Sequence, residues 1–143
     1  MEIQVIAHGS AAYEEAVRLR DEILRRPLGL TLTHEQLAAE SNSYHLAGYL
    51  DGVLCAYCML TPQASGMVQM RQVAVADSWR GQGFGRQLAE FAERYARELD
   101  FELIYCHARD VAVSFYEKLG YSHVGEPFEE VTIIHHEMRK RLR

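Results

Sequence analysis

Three glycines at alternate positions, Gly81, Gly83 and Gly85, stand between two arginines in the run Arg80-Gly-Gln-Gly-Phe-Gly-Arg86. Glycine lets the main chain approach a ligand closely, and the free N–H groups at the start of a helix favour an anion. Flanking guanidiniums add charge-assisted hydrogen bonds. The chemistry implied is phosphate binding, and spacing decides which kind. A P-loop needs G-x-x-x-x-G-K-[ST], but Arg86 and Gln87 follow Gly85. A dinucleotide fingerprint needs G-x-G-x-x-G, and its last position falls on Arg86 or Leu88. What remains is R-x-x-G-x-G, formed by Arg80, Gly83 and Gly85.

The elements around this turn must hold it in place. Before it, Met67 to Ala76 reads as a strand; after it, Phe84, Leu88, Phe91, Ala92, Tyr95, Ala96 and Leu99 recur at three and four residues, as in a long amphipathic helix that stops at Asp100. The strand changes phase. Val68 and Met70 are apolar in the even register and Val73 and Val75 in the odd one, with Arg71 and Gln72 between. Either a β-bulge shifts every later side chain to the other face, or both faces are covered and small residues tolerate either register.

The rest of the chain supplies partners for these elements. Glu2 to Ala7 alternates as a strand, and Ser10 can cap a helix that ends before Pro27 and Gly29. Thr33 and Gln36 have capping-box spacing for a short helix to about Glu40. His45–Leu50 and Val53–Leu60 flank Asp51-Gly52, a type I′ hairpin signal. Leu103–Cys106 is a short buried strand, Asp110 can cap a final helix that Gly120 ends, and Tyr121–Gly125 and Val131–Met138 read as closing strands around a Glu-Pro-Phe-Glu-Glu turn. The order is β-α-α-β-β-β-α-β-α-β-β.

A chain of 143 residues, 48% hydrophobic and 24% charged, is expected to form one domain over 1–143 with a substantial core. The formal net charge of -5 argues against nucleic acid as a partner and makes a basic or neutral small substrate electrostatically easier. No apolar run approaches the ~20 residues that span a bilayer and no leader is evident, so the expectation is a cytoplasmic protein without a membrane partner. Cys55, Cys58 and Cys106 fit a reducing compartment. Cys55 and Cys58 spell C-x-x-C, but in a strand residues three apart face opposite ways, which disfavours a shared metal or a redox pair.

With the R-x-x-G-x-G turn between a strand and a long helix, the chain resembles the GNAT superfamily of acetyl-coenzyme A-dependent N-acyltransferases, over nearly its whole length. The resemblance implies an α/β (α+β) domain: a mixed, mostly antiparallel sheet of six to seven strands with a splayed central strand, flanked by about four helices. It also implies that the main chain of Val73, Ala74 and Val75 pairs with the pantetheine arm of the coenzyme, and that Arg80, Gly81, Gln82, Gly83, Phe84, Gly85 and Arg86 cradle its pyrophosphate. Ala112-Val-Ser-Phe-Tyr-Glu-Lys-Leu-Gly-Tyr121 is similar to a second family segment, A-x-x-F-Y-E-K-L-G-F, whose tyrosine lies near the coenzyme sulfur. By that resemblance Tyr116 is the catalytic acid, since a phenol of pKa ~10 can protonate a departing thiolate. Where many members have Asn, this chain has Arg109, so the Asn role is not carried over. A homodimer is compatible with the resemblance, and no metal is implied.

The implied reaction is direct acetyl transfer from acetyl-CoA to a primary amine of a small molecule or protein. The amine's proton needs an acceptor. Candidates in the sequence are Glu22, Glu40, His45, Gln69, Arg71 and His135, while His107 reads as structural or substrate-facing. Two rivals stand beside this reading: a catalytically silent acyl-CoA-binding sensor or interaction module of the same fold, and a nucleotide-binding regulatory domain.

Overall fold

The computed structural model describes residues 1–143. Seven strands form one sheet in the order β1-β2-β3-β4-β5-β7-β6, namely β1 (Glu2–Ile6), β2 (Tyr44–Leu50), β3 (Val53–Pro62), β4 (Met67–Val75), β5 (Leu103–Arg109), β6 (Ser122–Glu130) and β7 (Ile133–Arg141). Every neighbouring pair is antiparallel except β4 and β5, which run parallel. The crossover between them is α3 (Phe84–Glu98), as a parallel pair requires. The other helices are α1 (Ala11–Arg20), α2 (His34–Ala38) and α4 (Val113–Lys118). The expected fold class is what the chain adopts.

The helices split between the two faces of the sheet. Leu88, Ala89, Ala92 and Ala96 of α3 and Tyr116 of α4 join Leu60, Val68, Met70, Ile104, Cys106 and Met138 in the larger core cluster. On the other face, Ala16 and Leu19 of α1 pack on Tyr57, Met59 and Ala74. At the start of α1 the Ser10 hydroxyl accepts from the Tyr13 N–H at 3.2 Å, and at α2 Thr33 and Gln36 form a complete capping box. Beyond Arg20 the run continues as a π-helical turn, Asp21–Arg25, then a 3₁₀ turn that Gly29 closes at φ +72°. The wider turn was not expected from the sequence.

Three local expectations are corrected. The last hairpin does not turn at Glu126–Glu130; β6 runs through that segment and the turn falls on Val131 and Thr132, at φ +52° and +63°. Gly125, at φ +74°, and Pro127 form a bulge instead, after which Phe128 regains register opposite His135. Asp110 does not cap α4, because its carboxylate accepts a 2.8 Å hydrogen bond from His136 Nε2. Cys55 is the extra residue of a bulge against β2, so Cys55 and Cys58 enter the same apolar cluster rather than opposite faces; both are free and buried.

Candidate active site

The site is a gap in the sheet. β4 pairs with β5 only from Met67↔Leu103 to Met70↔Cys106, while β5 continues along β7 as far as Arg109↔His135. The cause lies in β4. Between its pairings Ala74↔Tyr57 and Arg71↔Met59 it holds one residue more than β3, and Gln72 takes φ +56°. The phase change in the sequence is therefore a β-bulge. A bulge increases local twist and swings the strand; Ala74 and Val75 pair with β3 on one edge, and Val73 to Val75 have no strand on the other. The result is a cleft of about 1130 Å³ lined by both strands, the start of α3, α4, the end of the first helical run and the β6–β7 turn.

At one end of the cleft lies the glycine turn. Gly81 and Gly83 have φ +77° and +81°, and Gly83 is the N-cap of α3 with no side chain bonded to the first turn. No acidic residue occupies that turn. Free N–H groups and the positive end of a helix macrodipole thus face the opening without an internal partner. Arg80 and Arg86 stand beside it, half-solvated, in loose pairs with Asp77 at 3.2 Å and Glu90 at 3.6 Å. Such exposed pairs are weak, so both guanidiniums remain available. A Cβ on Gly85 would touch the Phe115 ring at 3.5 Å, which places α4 against the start of α3.

Tyr116 lines the cleft from the face covered by α3 and α4, close to the Cys106 thiol. Burial pushes its phenol pKa far above the ordinary tyrosine value, with further rise from the neighbouring Cys106 and Cys58. The near-match to a thiol that the free phenol would have is lost. The hydroxyl stays protonated and can donate a hydrogen bond. Burial also pushes the Cys106 thiol up to about 12, which leaves no thiolate for an acyl-enzyme.

On the other face the strands present Gln69 and Arg71 from β4 and His107 and Arg109 from β5, with Arg25 from the π-turn and His135 from β7. Alternation explains the sidedness: Met70, Cys106 and Ala108 point into the α3–α4 core, so the residues between them point away. His107, which the sequence placed only as structural or substrate-facing, lines the cleft. Its Nδ1 lies 3.0 Å from Glu130 Oε2, which must accept, so Nε2 carries the lone pair of the neutral ring. That Nε2 is 3.9 Å from Glu137 Oε1, and Phe128 packs its ring edge-on at 4.9 Å. Its signal in the sequence was position alone, one residue beyond the last apolar pair that ties β5 to β4.

Of the candidate proton acceptors, Gln69, Arg71 and His135 line the cleft. Glu22 is exposed and Glu40 and His45 are elsewhere, buried under α1. Glu40 accepts from Arg20 Nη1 and Nη2 at 2.8 and 2.5 Å and from the Tyr13 hydroxyl at 2.7 Å. His45 Nε2 donates to the Glu40 carbonyl at 3.1 Å, so its Nδ1 accepts from the Tyr57 hydroxyl at 2.7 Å. Burial lowers the His45 pKa, and both ring nitrogens are satisfied in the neutral form. These groups hold α1 and the π-turn after it to the sheet; none is free to take a substrate's proton.

The family model for the acetyltransferase (GNAT) family matches residues 10–121. The uncharacterized N-acetyltransferase YitI of Bacillus subtilis strain 168 is 28% identical over 137 residues, covering 91% of this chain and 92% of that protein. The crystal structure of a provisionally assigned N-acetyltransferase from Lactobacillus plantarum superposes with a TM-score of 0.86 at 25% identity, over 100% of both chains. An aminoglycoside 6'-N-acetyltransferase solved in complex with coenzyme A shares the fold, with a TM-score of 0.81 at 15% identity over 100% of this chain and 98% of that one.

Proposed function

The chain belongs to the acetyltransferase (GNAT) family, and we propose that it moves an acetyl group from acetyl-CoA directly to a primary amine. The observation that carries this reading is the gap beside β4: an unpaired strand edge leads from the uncapped start of α3 to a point with Tyr116 on one face and His107 on the other. Bound acetyl-CoA would supply a thioester carbonyl and a thiolate leaving group. The residues present suit it. The edge of Val73–Val75 offers main-chain groups to an amide-bearing arm, as a strand does to an added peptide. The N–H groups of Gly83–Arg86 and the side chains of Arg80 and Arg86 suit a pyrophosphate.

Each side chain then has a defined task. His107 Nε2 accepts the amine's proton, and Glu130 on Nδ1 fixes the tautomer that makes this possible. The imidazolium so formed faces Glu130 and Glu137. The Tyr116 hydroxyl donates a hydrogen bond to sulfur as charge develops there; a phenol raised by burial does this without giving up its proton in the resting site.

Thermal stabilisation is measured first with acetyl-CoA, longer acyl-CoA esters and nucleoside triphosphates, then acetylation across an amine panel with the best donor. We expect stabilisation by acetyl-CoA but not by triphosphates, turnover with some amines, and a ~100-fold or larger fall in kcat/KM for His107→Ala at unchanged coenzyme affinity. Stabilisation by acetyl-CoA with no amine ever acetylated favours the silent sensor instead. Unchanged kcat/KM in His107→Ala removes that residue from the mechanism.

A further inference from the structure

Three arginines line the acceptor face of the cleft without an ionic partner. Arg25, Arg71 and Arg109 belong to different elements, all border the same opening, and none has a carboxylate within salt-bridge distance; Arg18, Arg26, Arg94, Arg97 and Arg141 are also without an ion pair but lie outside the cleft, whereas its other two arginines, Arg80 and Arg86, are paired. The nearby carboxylates are engaged elsewhere. Glu130 is held by His107 Nδ1, Glu137 by Arg139 at 2.7 Å, and the Asp21 side chain accepts the Leu32 N–H at 2.9 Å. Arg25 feels the crowding: burial, then repulsion from Arg20, Arg109 and Arg71, lowers its pKa below the ordinary arginine value.

Two buried polar atoms in this cleft lack any partner, and they are complementary. Arg25 Nε is a donor with nothing to donate to, and Gln72 Oε1, on the bulge, is an acceptor with nothing to accept. A shielded group left unpaired is destabilising; a third such atom, Arg20 Nε, lies within the sealed Arg20–Glu40 pair, whereas these two, of opposite kind, share one opening. A molecule with an anionic group and an amine satisfies both.

We propose that the acceptor amine also carries an oxyanion, a carboxylate or a phosphate, which Arg25, Arg71 and Arg109 hold while Gln72 Oε1 accepts from the amine. The proposal rests on the N-acetyltransferase reading and names the class of its substrate. It reverses the expectation from overall charge: a chain of net charge -5 has collected guanidiniums at this one opening. These arginines are distinct from those at the glycine turn. Arg80 and Arg86 flank the start of α3 on the core face of the sheet, while Arg71 and Arg109 alternate with Met70 and Ala108 and project from the opposite face, toward Arg25. Guanidinium binds both anions in a two-pronged geometry, so the anion's source is settled by experiment.

Acetylation is compared within matched sets: amino acids against their carboxamides and decarboxylated amines, and aminoalkyl phosphates against the corresponding amino alcohols. The same sets are run on Arg25→Gln, Arg71→Gln and Arg109→Gln. Anionic acceptors should exceed their neutral counterparts by at least ~10-fold in kcat/KM, a preference that falls ~10-fold or more in Arg25→Gln or Arg71→Gln while neutral amines are acetylated as in the wild type. Whether carboxylates or phosphates lead identifies the anion. Neutral amines used as well as anionic ones, or variants that slow both alike, overturn the proposal. If no amine is acetylated, binding decides: anionic members that stabilise the wild type but not Arg25→Gln keep the anion site and reject only the transferase reading, and the absence of any such difference rejects the site.

Discussion

Arg20 and Arg25 lie five residues apart on one helical run, and the contrast between them separates scaffold from site. Arg20 is fully buried and joined to Glu40 by a two-pronged bond, with Tyr13 on the same carboxylate and the Tyr57 ring 5.2 Å away. Each has a shielded Nε with no partner; Arg25, at the end of the π-turn, differs in that its side chain lines the cleft and no carboxylate pairs with it. Both arginines are shielded. One has its counter-charge within the fold, and the other has repulsive neighbours. A charge paired within the fold holds elements together, whereas one left without a counter-charge beside an opening is set for something that arrives. The wider winding of residues 21–25 lets one helical run do both, since a π-turn changes the direction in which later side chains project.

The largest test of this contrast is Glu40→Ala, which leaves Arg20 buried without its carboxylate. It should cost about 3–5 kcal/mol in denaturant unfolding, whereas Arg25→Met should stay within about 0.5 kcal/mol of the wild type or gain. Equal effects in both variants would erase the distinction between sealed and open arginines.

Acidification offers a second, smaller test. Burial raises the Glu40 pKa, but the Arg20 and Tyr13 bonds outweigh it and the net shift is downward from 4.5, while burial lowers His45 from 6.5. In both cases the unfolded chain takes the proton first as pH falls. Their contributions are complete above the ordinary values and are lost as pH drops toward the folded ones. The melting temperature should decline from about pH 6.5 downward, more steeply below about 4.5; in His45→Gln the decline above pH 5 should flatten. A melting temperature constant from pH 7 to 4 contradicts these roles for Glu40 and His45.

The smallest expected effect concerns the lip of the cleft. Val131 and Thr132 hold positive φ although both are β-branched, a conformation that is strained for such residues. Val131→Gly should stabilise the protein by about 1 kcal/mol in thermal unfolding. If Val131→Gly destabilises instead, the side chain has contacts at the lip that outweigh its backbone strain.

Much of the arrangement could be read from residue order. The phase change was legible because one extra residue reverses the parity of Val73 and Val75 relative to Val68 and Met70, and parity is visible in a string of letters; that a bulge rather than cover on both faces causes it took the strand pairing to decide. The caps at Ser10 and Thr33 and the Asp51-Gly52 turn were legible because each is a local interaction. The last turn was not. Gly125 and Pro127 gave a strong local signal that the fold used for a bulge, while tertiary pairing placed the turn on two residues that disfavour it. The partners of Glu40 and His107 were hidden for a different reason. Glu40 finds Arg20 across 20 positions, and His107 finds Glu130 across 23; neither separation has a periodicity to reveal it.

The bulge at Gln72 also bears on which heritable changes this chain can absorb. What it contributes is a count, one residue more in β4 than in β3 between two fixed pairings. Substitutions there adjust the cleft, but a one-codon deletion between Arg71 and Val73 would exchange the inward and outward faces of everything from Val73 to Val75 and close the gap against β5. The same deletion in the turn at 63–66 would shorten a connection and leave both faces as they are. Lineages of this protein should therefore vary in length at that turn and hold the length of β4 constant, even where almost every letter in the strand has changed.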